Sequence, residues 1–431
     1  MRRRLLIAVA LLVVVVIGAG VAYVLHVRQE GRDIRGSSTD QFTPTEIPPA
    51  PKPKAHIKVK GPGIAWPEYG FDSERLRVAV GVSLAPPFRR VWRFRAQSLV
   101  EFPPAVAYGR LYFANNAGVL FAISATTGKR AWEYVSNRCQ AMSPAVDDGT
   151  VYATFLNHPP CNSSGDNQQG ELVALWAGSG RVRWRKTIGP SESSPVVSGG
   201  SVYVGDWDGR VSAFSERTGR RWWVFQAGGK VKDGIAVSGG IVYFGAYDGH
   251  VYALNARTGK LLWTASSQPR LGQAGEFYAT PAVAYGRVFI GSTDGKEYAF
   301  GATTGDLLWS QSTGGYVYSS SAVWRQRIFA GSYSGSFFCF NAATGDVLWS
   351  FRANGAISGS PTIVAGRVYF ATLAGRTYAL NAATGRLLWT FPDGKYSPVV
   401  ADAKRLYLVG NARIYGLEEA KPKPRAVRKK P

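Results

Sequence analysis

The chain has 431 residues, and its 51 Lys and Arg outnumber 28 Asp and Glu to give a net charge of +23. A length of this kind normally indicates two or three domains, although all-β rings often run long around one core. The four histidines show no metal-ligand spacing, and no Ser-His-Asp set or glycine-rich phosphate loop is recognisable, which leaves histidine metal centres, hydrolases and nucleotide-binding proteins without a specific signal.

The N-terminal segment, residues 1–35, combines a basic start with a long uncharged run. Met1 to Arg4 is followed by Leu5 to Leu25, which as a helix would rise about 31 Å and match the hydrocarbon core of a bilayer. We therefore predict a cytoplasmic stub and a single-pass transmembrane signal-anchor, with cleavage after Ala22 as the lesser alternative. Arginines flank the run on both sides, so their count nearly balances and does not orient the helix.

Two segments lie between this helix and the next pattern. Residues 36–63 are rich in Ser, Thr, Pro and Lys, a composition that favours extended chain and predicts a spacer. Residues 64–89 are treated as a lead-in segment. The spacer is expected to hold the following domain away from a membrane.

A repeat with a period near 40 residues dominates the remainder of the chain. Thr-Gly, or once Ser-Gly, is followed four residues after the glycine by Trp, which predicts a hairpin with an aromatic packing anchor. These tryptophans are interpreted as structural residues that pack between neighbouring units. With one further copy at the start, the set is Trp92, Trp132, Trp184, Trp223, Trp263, Trp309, Trp349 and Trp389.

One repeat contains four short strand patterns separated by glycine turns, so each unit is predicted to be a four-stranded antiparallel blade. A blade cannot bury both of its faces alone, and stacked blades form a propeller. Only three strands follow Trp389, whereas Arg90 to Phe94 resembles a missing outer strand. The sequence thus predicts an all-β, eight-bladed propeller over residues 90–420, closed by its N-terminal strand, with a basic disordered tail at 421–431.

The repeat carries a family resemblance. Ala-x-Asn-x-x-Thr-Gly-x-x-x-Trp, which starts at Ala253 and Ala379 and with Cys at Cys339, resembles the tryptophan-docking repeat of the pyrroloquinoline-quinone (PQQ)-type propellers. The resemblance covers about residues 90–417, and Trp66 to Asp72 is similar to a lead-in found ahead of such propellers. The family includes quinoprotein alcohol dehydrogenases and also cofactor-free scaffolds of the BamB type, so the fold does not decide the function. Its usual extracytoplasmic location favours the N-inside orientation of the anchor.

Two of the three cysteines are predicted to form a disulfide. Cys139 lies between two blades, and Cys161 lies in a long connection between the second and third strands of the next blade. Both connections leave an up-and-down blade on one face, and a disulfide between them would fit an oxidising compartment. Cys339 takes the place of a small buried residue in the motif, so we assign it no chemistry.

The candidate ligand site lies at the entry to the inner strands. Small hydroxyl residues occupy most of these entry positions, and Asp233, preceded by Lys232, is the charged exception, with Glu101 and Glu192 two residues further out. A local ion pair is the simpler interpretation, but the channel mouth is where a propeller would hold a ligand. The longer connections leave on the same face as these residues, and we expect a partner to dock there.

These features favour a non-catalytic protein-interaction scaffold of the cell envelope. We assign no catalytic, cofactor-binding or metal-binding residues and expect no cofactor. An unidentified envelope protein or wall polymer is the expected partner, with the membrane contacted through the helix and no nucleic acid. The alternatives are a PQQ- and Ca²⁺-dependent dehydrogenase, which resemblance implies would need a carboxylate base and commonly adjacent cysteines, or a propeller that senses a small ligand.

Overall fold

The computed structural model describes residues 2–44, 63–161, 168–269, 274–397 and 399–420, without the side chains of 2–8, 10 and 28. Its described strands form eight separate sheets, and each contains four antiparallel strands, with one short additional strand in one of them. The innermost strands of successive blades contact one another, and the last of these contacts joins blade 8 to blade 1. The predicted eight-bladed propeller is confirmed.

Blades 1 to 4 are built from consecutive strands, innermost first. Blade 1 comprises β3 (Ala105–Ala107), β4 (Arg110–Ala114), β5 (Val119–Ser124) and β6 (Arg130–Val135). Blade 2 comprises β7 (Ala145–Asp147), β8 (Thr150–Phe155), β9 (Gly170–Trp176) and β10 (Val182–Ile188). Blade 3 comprises β11 (Val196–Ser198), β12 (Ser201–Gly205), β13 (Arg210–Ser215) and β14 (Arg221–Gln226). Blade 4 comprises β15 (Ala236–Ser238), β16 (Ile241–Gly245), β17 (His250–Asn255) and β18 (Leu261–Ser266).

Blades 5 to 8 follow the same plan, with two additions from the N-terminal side. Blade 5 comprises β19 (Ala282–Ala284), β20 (Arg287–Gly291), β21 (Lys296–Gly301) and β22 (Leu307–Ser312). Blade 6 comprises β23 (Ala322–Trp324), β24 (Arg327–Gly331), β25 (Ser336–Asn341) and β26 (Val347–Arg352). Blade 7 comprises β27 (Thr362–Val364), β28 (Arg367–Thr372), β29 (Arg376–Asn381) and β30 (Leu387–Phe391), joined by β1 (Val78–Ala79). Blade 8 comprises β31 (Val399–Ala401), β32 (Leu406–Val409), β33 (Arg413–Glu419) and β2 (Phe88–Arg95).

The ring closes through its N-terminal strand. β2 pairs antiparallel with β33, with Arg93 opposite Tyr415, so the first strand of the propeller completes the last blade. This pairing satisfies the sheet edge that blade 8 would otherwise expose. The predicted closure is confirmed, and the strand extends two residues before and one residue beyond the predicted 90–94.

The docking tryptophans join each blade to the next. For seven of them the indole N–H donates to a backbone carbonyl of the following blade at 2.9–3.3 Å. The Thr-Gly glycine of that blade lies flat against the indole: Gly259 has φ +72°, and a Cβ there would lie 2.6 Å from the ring of Trp223. The repeat therefore needs glycine both for the turn and for the contact. The eighth, Trp389, packs edge-on against Phe88.

The predicted transmembrane helix is not supported. The N-terminal run does form a helix, α1, Arg2–Gln29. Among the residues that the structure describes, however, no helix is both long and apolar enough to cross a membrane.

The segment that follows α1, including the first residues of the predicted spacer, packs against the propeller. Ile34 forms a β-bridge with Ser310 of the outer strand of blade 5, and Asp33 pairs with Lys296 at 3.0 Å. Buried Arg287 donates to the carbonyls of Ser37 and Asp40. We call residues 33–44 the strap. Residues 45–62 of the predicted spacer and the predicted tail 421–431 lie outside the described residues.

Candidate functional site

The two faces of the propeller differ in how their connections are built. The turns between first and second strands and the Thr-Gly turns emerge on one face, which we call the turn face. The connections between second and third strands, and those between blades, emerge on the other, which we call the loop face. The longest of these connections, 156–169 and 267–281, both belong to the loop face.

The lead-in segment fills the central channel on its turn-face side, and we call residues 66–79 the plug. It winds around the axis and meets the inner strands of blades 1 to 7 in sequence. In each of these blades one inner-strand N–H donates to the plug at 2.7–3.0 Å: Val106, Val146, Val197, Val237, Val283, Val323 and Ile363. The plug ends as β1, which pairs parallel with β27. Access to the channel is therefore left to the loop face.

A buried ion pair holds the plug in place. The guanidinium of Arg75 is fully buried and donates to the carbonyls of Ile235, Ser194 and Pro195 at 2.7, 3.3 and 3.3 Å. Its Nη1 lies 4.0 Å from the Glu68 carboxylate, which accepts the N–H of Val197. Burial raises the pKa of Glu68 to about 7, although Arg75 opposes the shift. One side chain thus joins the plug to the entries of two inner strands, those of blades 3 and 4.

A belt of hydroxyl groups lies above the plug, at the inner-strand entries that the sequence singled out. Ser143 donates its N–H to Ser194, and Ser320 donates its N–H to Ser360, each across a blade boundary. Asp233 joins this belt, because its Oδ2 accepts from the N–H of Thr280 and from Ser320. Its other oxygen, Oδ1, is buried without a hydrogen-bond partner among the described residues. Burial raises the pKa of this carboxyl.

The structure brings the four predicted site residues together at the loop-face mouth. Lys232 and Glu192 form an ion pair with Nζ and Oε2 3.6 Å apart. Burial raises the pKa of Glu192 to about 7, with Lys232 opposing the shift and Glu101 and Asp233 adding to it. Burial also raises the pKa of Glu101, whose electrostatic neighbours include Asp233 and Lys232. The carboxylates therefore share one weakly solvated environment.

Aromatic side chains form the remainder of the mouth, and sequence reasoning missed them. The ammonium of Lys232 lies over Trp207, Tyr247 and Tyr278, with 4.6, 5.5 and 5.8 Å to the ring centroids. The tyrosines continue edge-to-face from Tyr278 to Tyr318 at 5.0 Å and on to Tyr333 at 4.9 Å. Tyr278 and Tyr318 are equivalent to Glu101 and Glu192, because each lies five residues before the residue of its blade that donates to the plug. This equivalent position in the repeat was the sequence signal that could have identified the tyrosines.

The mouth is consequently two-sided. One arc, from blades 8, 1, 3 and 4, carries Lys395, Glu101, Glu192 and Lys232 together with the aromatic rings beside Lys232. The other arc, from blades 5 and 6, carries only tyrosines among the aromatic residues named above. Tyr316 and Tyr333, at the outer margin of the aromatic arc, are 52% and 36% exposed. Exposed tyrosines beside charged groups suit a polypeptide surface that offers both apolar and polar groups.

The loop face also carries the disulfide. Cys139 and Cys161 are bonded, with their Cα atoms 5.5 Å apart, and Cys339 is buried and unpaired. Arg138 beside the bond donates to the carbonyl of Gln169 and so holds the other end of the long connection. The bond fixes this connection against the start of its own blade.

The donor groups of the mouth do not fit a quinone–calcium site. Among the described residues, no three His, Cys, Asp or Glu side chains converge as metal ligands do. The two bonded cysteines are 22 residues apart in the sequence rather than adjacent. The aromatic face of Trp207 is covered by the ammonium of Lys232, which is paired with Glu192.

Comparison with known protein families supports the repeat family that the sequence motif indicated. The sequence model of the family described as "Outer membrane protein assembly factor BamB" matches four overlapping segments, 89–206, 142–295, 207–322 and 298–417. BamB of Yersinia pestis is 28% identical over 134 residues, which cover 28% of this chain and 31% of that protein. Quinohemoprotein alcohol dehydrogenase of Comamonas testosteroni is 37% identical over 164 residues, which cover 37% of this chain and 18% of the dehydrogenase. The alignments thus span about a third and less than a fifth of these relatives.

Solved structures show the same fold. BamB from Moraxella catarrhalis superposes with a TM-score of 0.63 at 18% identity and covers 77% of this chain and 100% of that one. The Comamonas dehydrogenase superposes with a TM-score of 0.68 at 16% identity and covers 84% of this chain and 82% of that one. Because the family's sequence model matches nearly all of the propeller, the chain belongs to the PQQ-like β-propeller repeat family whose members are described as outer membrane protein assembly factor BamB.

Proposed function

We propose that this chain is a non-catalytic interaction scaffold of the cell envelope and that a partner protein binds over its loop-face mouth. The observation that carries the proposal is the contrast between the two ends of the channel. The plug occupies the turn-face end, whereas the loop-face end presents the exposed Tyr316 and Tyr333 beside a charged arc. Tyrosine is enriched where protein surfaces bind one another.

Two further observations support the envelope setting. The disulfide between Cys139 and Cys161 suits an oxidising compartment outside the cytoplasm. The family's description as an outer membrane protein assembly factor points the same way. Scaffold proteins of this kind need surface complementarity and no reactive group, and the mouth offers the former.

The experiment compares matched charge insertions on the two faces. Tyr316→Lys with Tyr333→Lys places charge at the aromatic arc, and Thr258→Lys with Thr384→Lys places the same charge in exposed Thr-Gly turns of the turn face. Partners are captured by crosslinking in intact cells and compared with the parent chain. We expect the mouth variant to lose the captured partner and the turn-face variant to keep it. Loss in the turn-face variant alone would refute the proposal.

A quinone-dependent dehydrogenase is the second candidate, because the Comamonas relative is the one with the higher identity. The donor groups described above do not fit it, and we derive no chemistry from it. Titration with PQQ and Ca²⁺, followed by absorbance and melting temperature, tests it directly, and the same melting assay would detect small-ligand sensing. A saturable spectral change with a rise in melting temperature would favour the enzyme over the scaffold.

A further inference from the structure

The positive charge of the propeller is concentrated on part of its outer wall. The Thr-Gly turns and outer strands of blades 8, 1, 2, 3 and 4 contain 15 Lys and Arg against 2 Asp and Glu, and those of blades 5, 6 and 7 contain 2 against 2. The first group comprises residues 88–95, 124–135, 177–188, 215–226 and 255–266, which we call the basic girdle. The second comprises residues 301–312, 341–352 and 381–391.

The girdle is solvent-accessible and mostly uncompensated. Thirteen of its 15 cationic side chains are exposed. Three of the 15, Arg89, Arg130 and Arg185, pair with carboxylates. Twelve of the 15 are arginine, whose planar fork matches phosphate oxygens better than an ammonium does. A structural role for so many exposed, like-charged groups on adjacent blades would be unfavourable, because they repel one another.

Aromatic rings add flat surfaces to the same wall. The guanidinium of Arg183 lies 4.1 Å from the ring centroid of Trp176, and that of Arg220 lies 5.3 Å from Trp222. These two indoles are 49% and 50% exposed. The stacking holds both guanidinium groups in place. Arg183 also donates one N–H to Thr150, whereas Arg220 is exposed to a ligand.

The strap covers the outer wall of blade 5. Leu308, on the outer strand of blade 5, is only 7% exposed beneath the strap, whereas the equivalent Leu262 and Leu348 of the neighbouring blades are 48% and 45% exposed. The chain therefore covers the wall of blade 5 with its own segment and leaves the girdle uncovered.

We propose that the basic girdle binds a flexible, linear, phosphate-bearing polymer that wraps around the propeller wall. The girdle follows five consecutive blades of eight, so it curves around more than half of the circumference. A planar bilayer could touch only one or two of those blades, whereas a flexible polymer can follow them all. Each of the five girdle segments carries at least two Lys or Arg, so a polymer that follows the wall meets new cationic groups at every blade.

The test measures binding of long-chain inorganic polyphosphate to the full chain as a function of salt. The girdle variant is Arg181→Gln, Arg217→Gln and Arg221→Gln, three exposed side chains with no ion pair among the described residues. The control variant is Arg376→Gln, Arg386→Gln and Lys404→Gln, which removes equal charge from exposed positions outside the girdle. Unchanged melting temperatures establish that both variants fold. Tripolyphosphate and phosphatidylglycerol vesicles serve as short and planar competitors.

We expect the girdle variant to bind polyphosphate about tenfold more weakly. The plot of log affinity against log salt should become less steep by about 2, because each of the three lost contacts contributes ~0.7 to its slope. The control variant should bind within about twofold of the parent. Equal weakening of both variants would overturn the proposal, because it would show a general charge effect. Tighter binding to the vesicles than to long-chain polyphosphate would overturn the proposal in favour of a membrane surface. Tripolyphosphate binding as tightly as the long polymer would exclude wrapping.

Discussion

Replacing Arg75 with methionine should destabilise the propeller more than any comparable surface change. The guanidinium lies in the channel and binds backbone carbonyls of blades 3 and 4 and of the plug itself. Methionine retains most of the volume but donates no hydrogen bond, so these carbonyls lose their partner and Glu68 loses its counter-charge. The ordinary cost of removing one partner of a buried pair is about 3–5 kcal/mol.

The pH dependence of this loss provides an internal check. The pKa of Glu68 is already raised to about 7 by burial, so at pH 6 the folded chain holds this carboxyl mostly protonated and has little charge to compensate. At pH 8 the carboxylate is ionised and needs Arg75. We therefore expect the free energy of unfolding to drop by about 3–5 kcal/mol at pH 8 and by about 1 kcal/mol less at pH 6, since one pKa unit corresponds to about 1.4 kcal/mol.

Urea unfolding followed by tryptophan fluorescence measures both values, with exposed Arg376→Met as the matched control. The control should change stability by less than about 0.5 kcal/mol. A loss in Arg75→Met no larger than that of the control would refute the structural role of the plug. An equal loss at both pH values would refute its coupling to Glu68.

Three further predictions concern the buried carboxyl groups, a Thr-Gly turn and the disulfide. Burial raises the folded pKa values of Glu68 and Glu297 to about 7 and about 8, above those of the unfolded chain, so the free energy of unfolding should fall as pH rises from about 5 to 8. Glu297→Gln should flatten this pH profile, measured by calorimetry. Gly259→Ala should lower the melting temperature, because its Cβ would lie 2.6 Å from the Trp223 ring, whereas exposed Gly178→Ala, with open space around it, should not. Reducing the Cys139–Cys161 bond should cost about 3 kcal/mol in urea unfolding, and no change would show that the long connection is held without it.

The blade number and closure could be predicted because each blade repeats the same constraint. A positive-φ glycine and a tryptophan four residues later recur at a nearly constant spacing, and the strand count after Trp389 leaves one outer strand to be supplied by the N-terminus. The structure meets that requirement with β2. Local turn chemistry and long-range packing agree here, so the pattern is visible without coordinates.

The plug could not be predicted in this way. Its course has no period, its only strand has two residues, and Phe71, Arg75 and Arg77 adopt positive φ without being glycine. Such a conformation is imposed by the surrounding inner strands and not by local preference. A buried arginine that binds four backbone carbonyls resembles any other basic residue in the sequence.

The mouth was predictable in part. Lys232, Asp233, Glu101 and Glu192 could be found because charge is unusual at the entry of an inner strand. Tyr278 and Tyr318 occupy the same register, but a tyrosine in a sequence does not show whether it packs in a core or stays partly exposed at an opening. The strap was missed because its composition resembles a free linker, and its docking depends on partners such as Arg287, roughly 250 residues away.

Site-specific photocrosslinking tests the central claim most directly. A photoreactive phenylalanine analogue replaces Tyr316 at the loop-face mouth in one variant and Thr258 in an exposed Thr-Gly turn of the turn face in the other. Both are irradiated in intact cells at equal expression, and adducts are identified by mass spectrometry. We expect a defined protein adduct from position 316 and none from position 258. An adduct from position 258 with none from position 316 would contradict it.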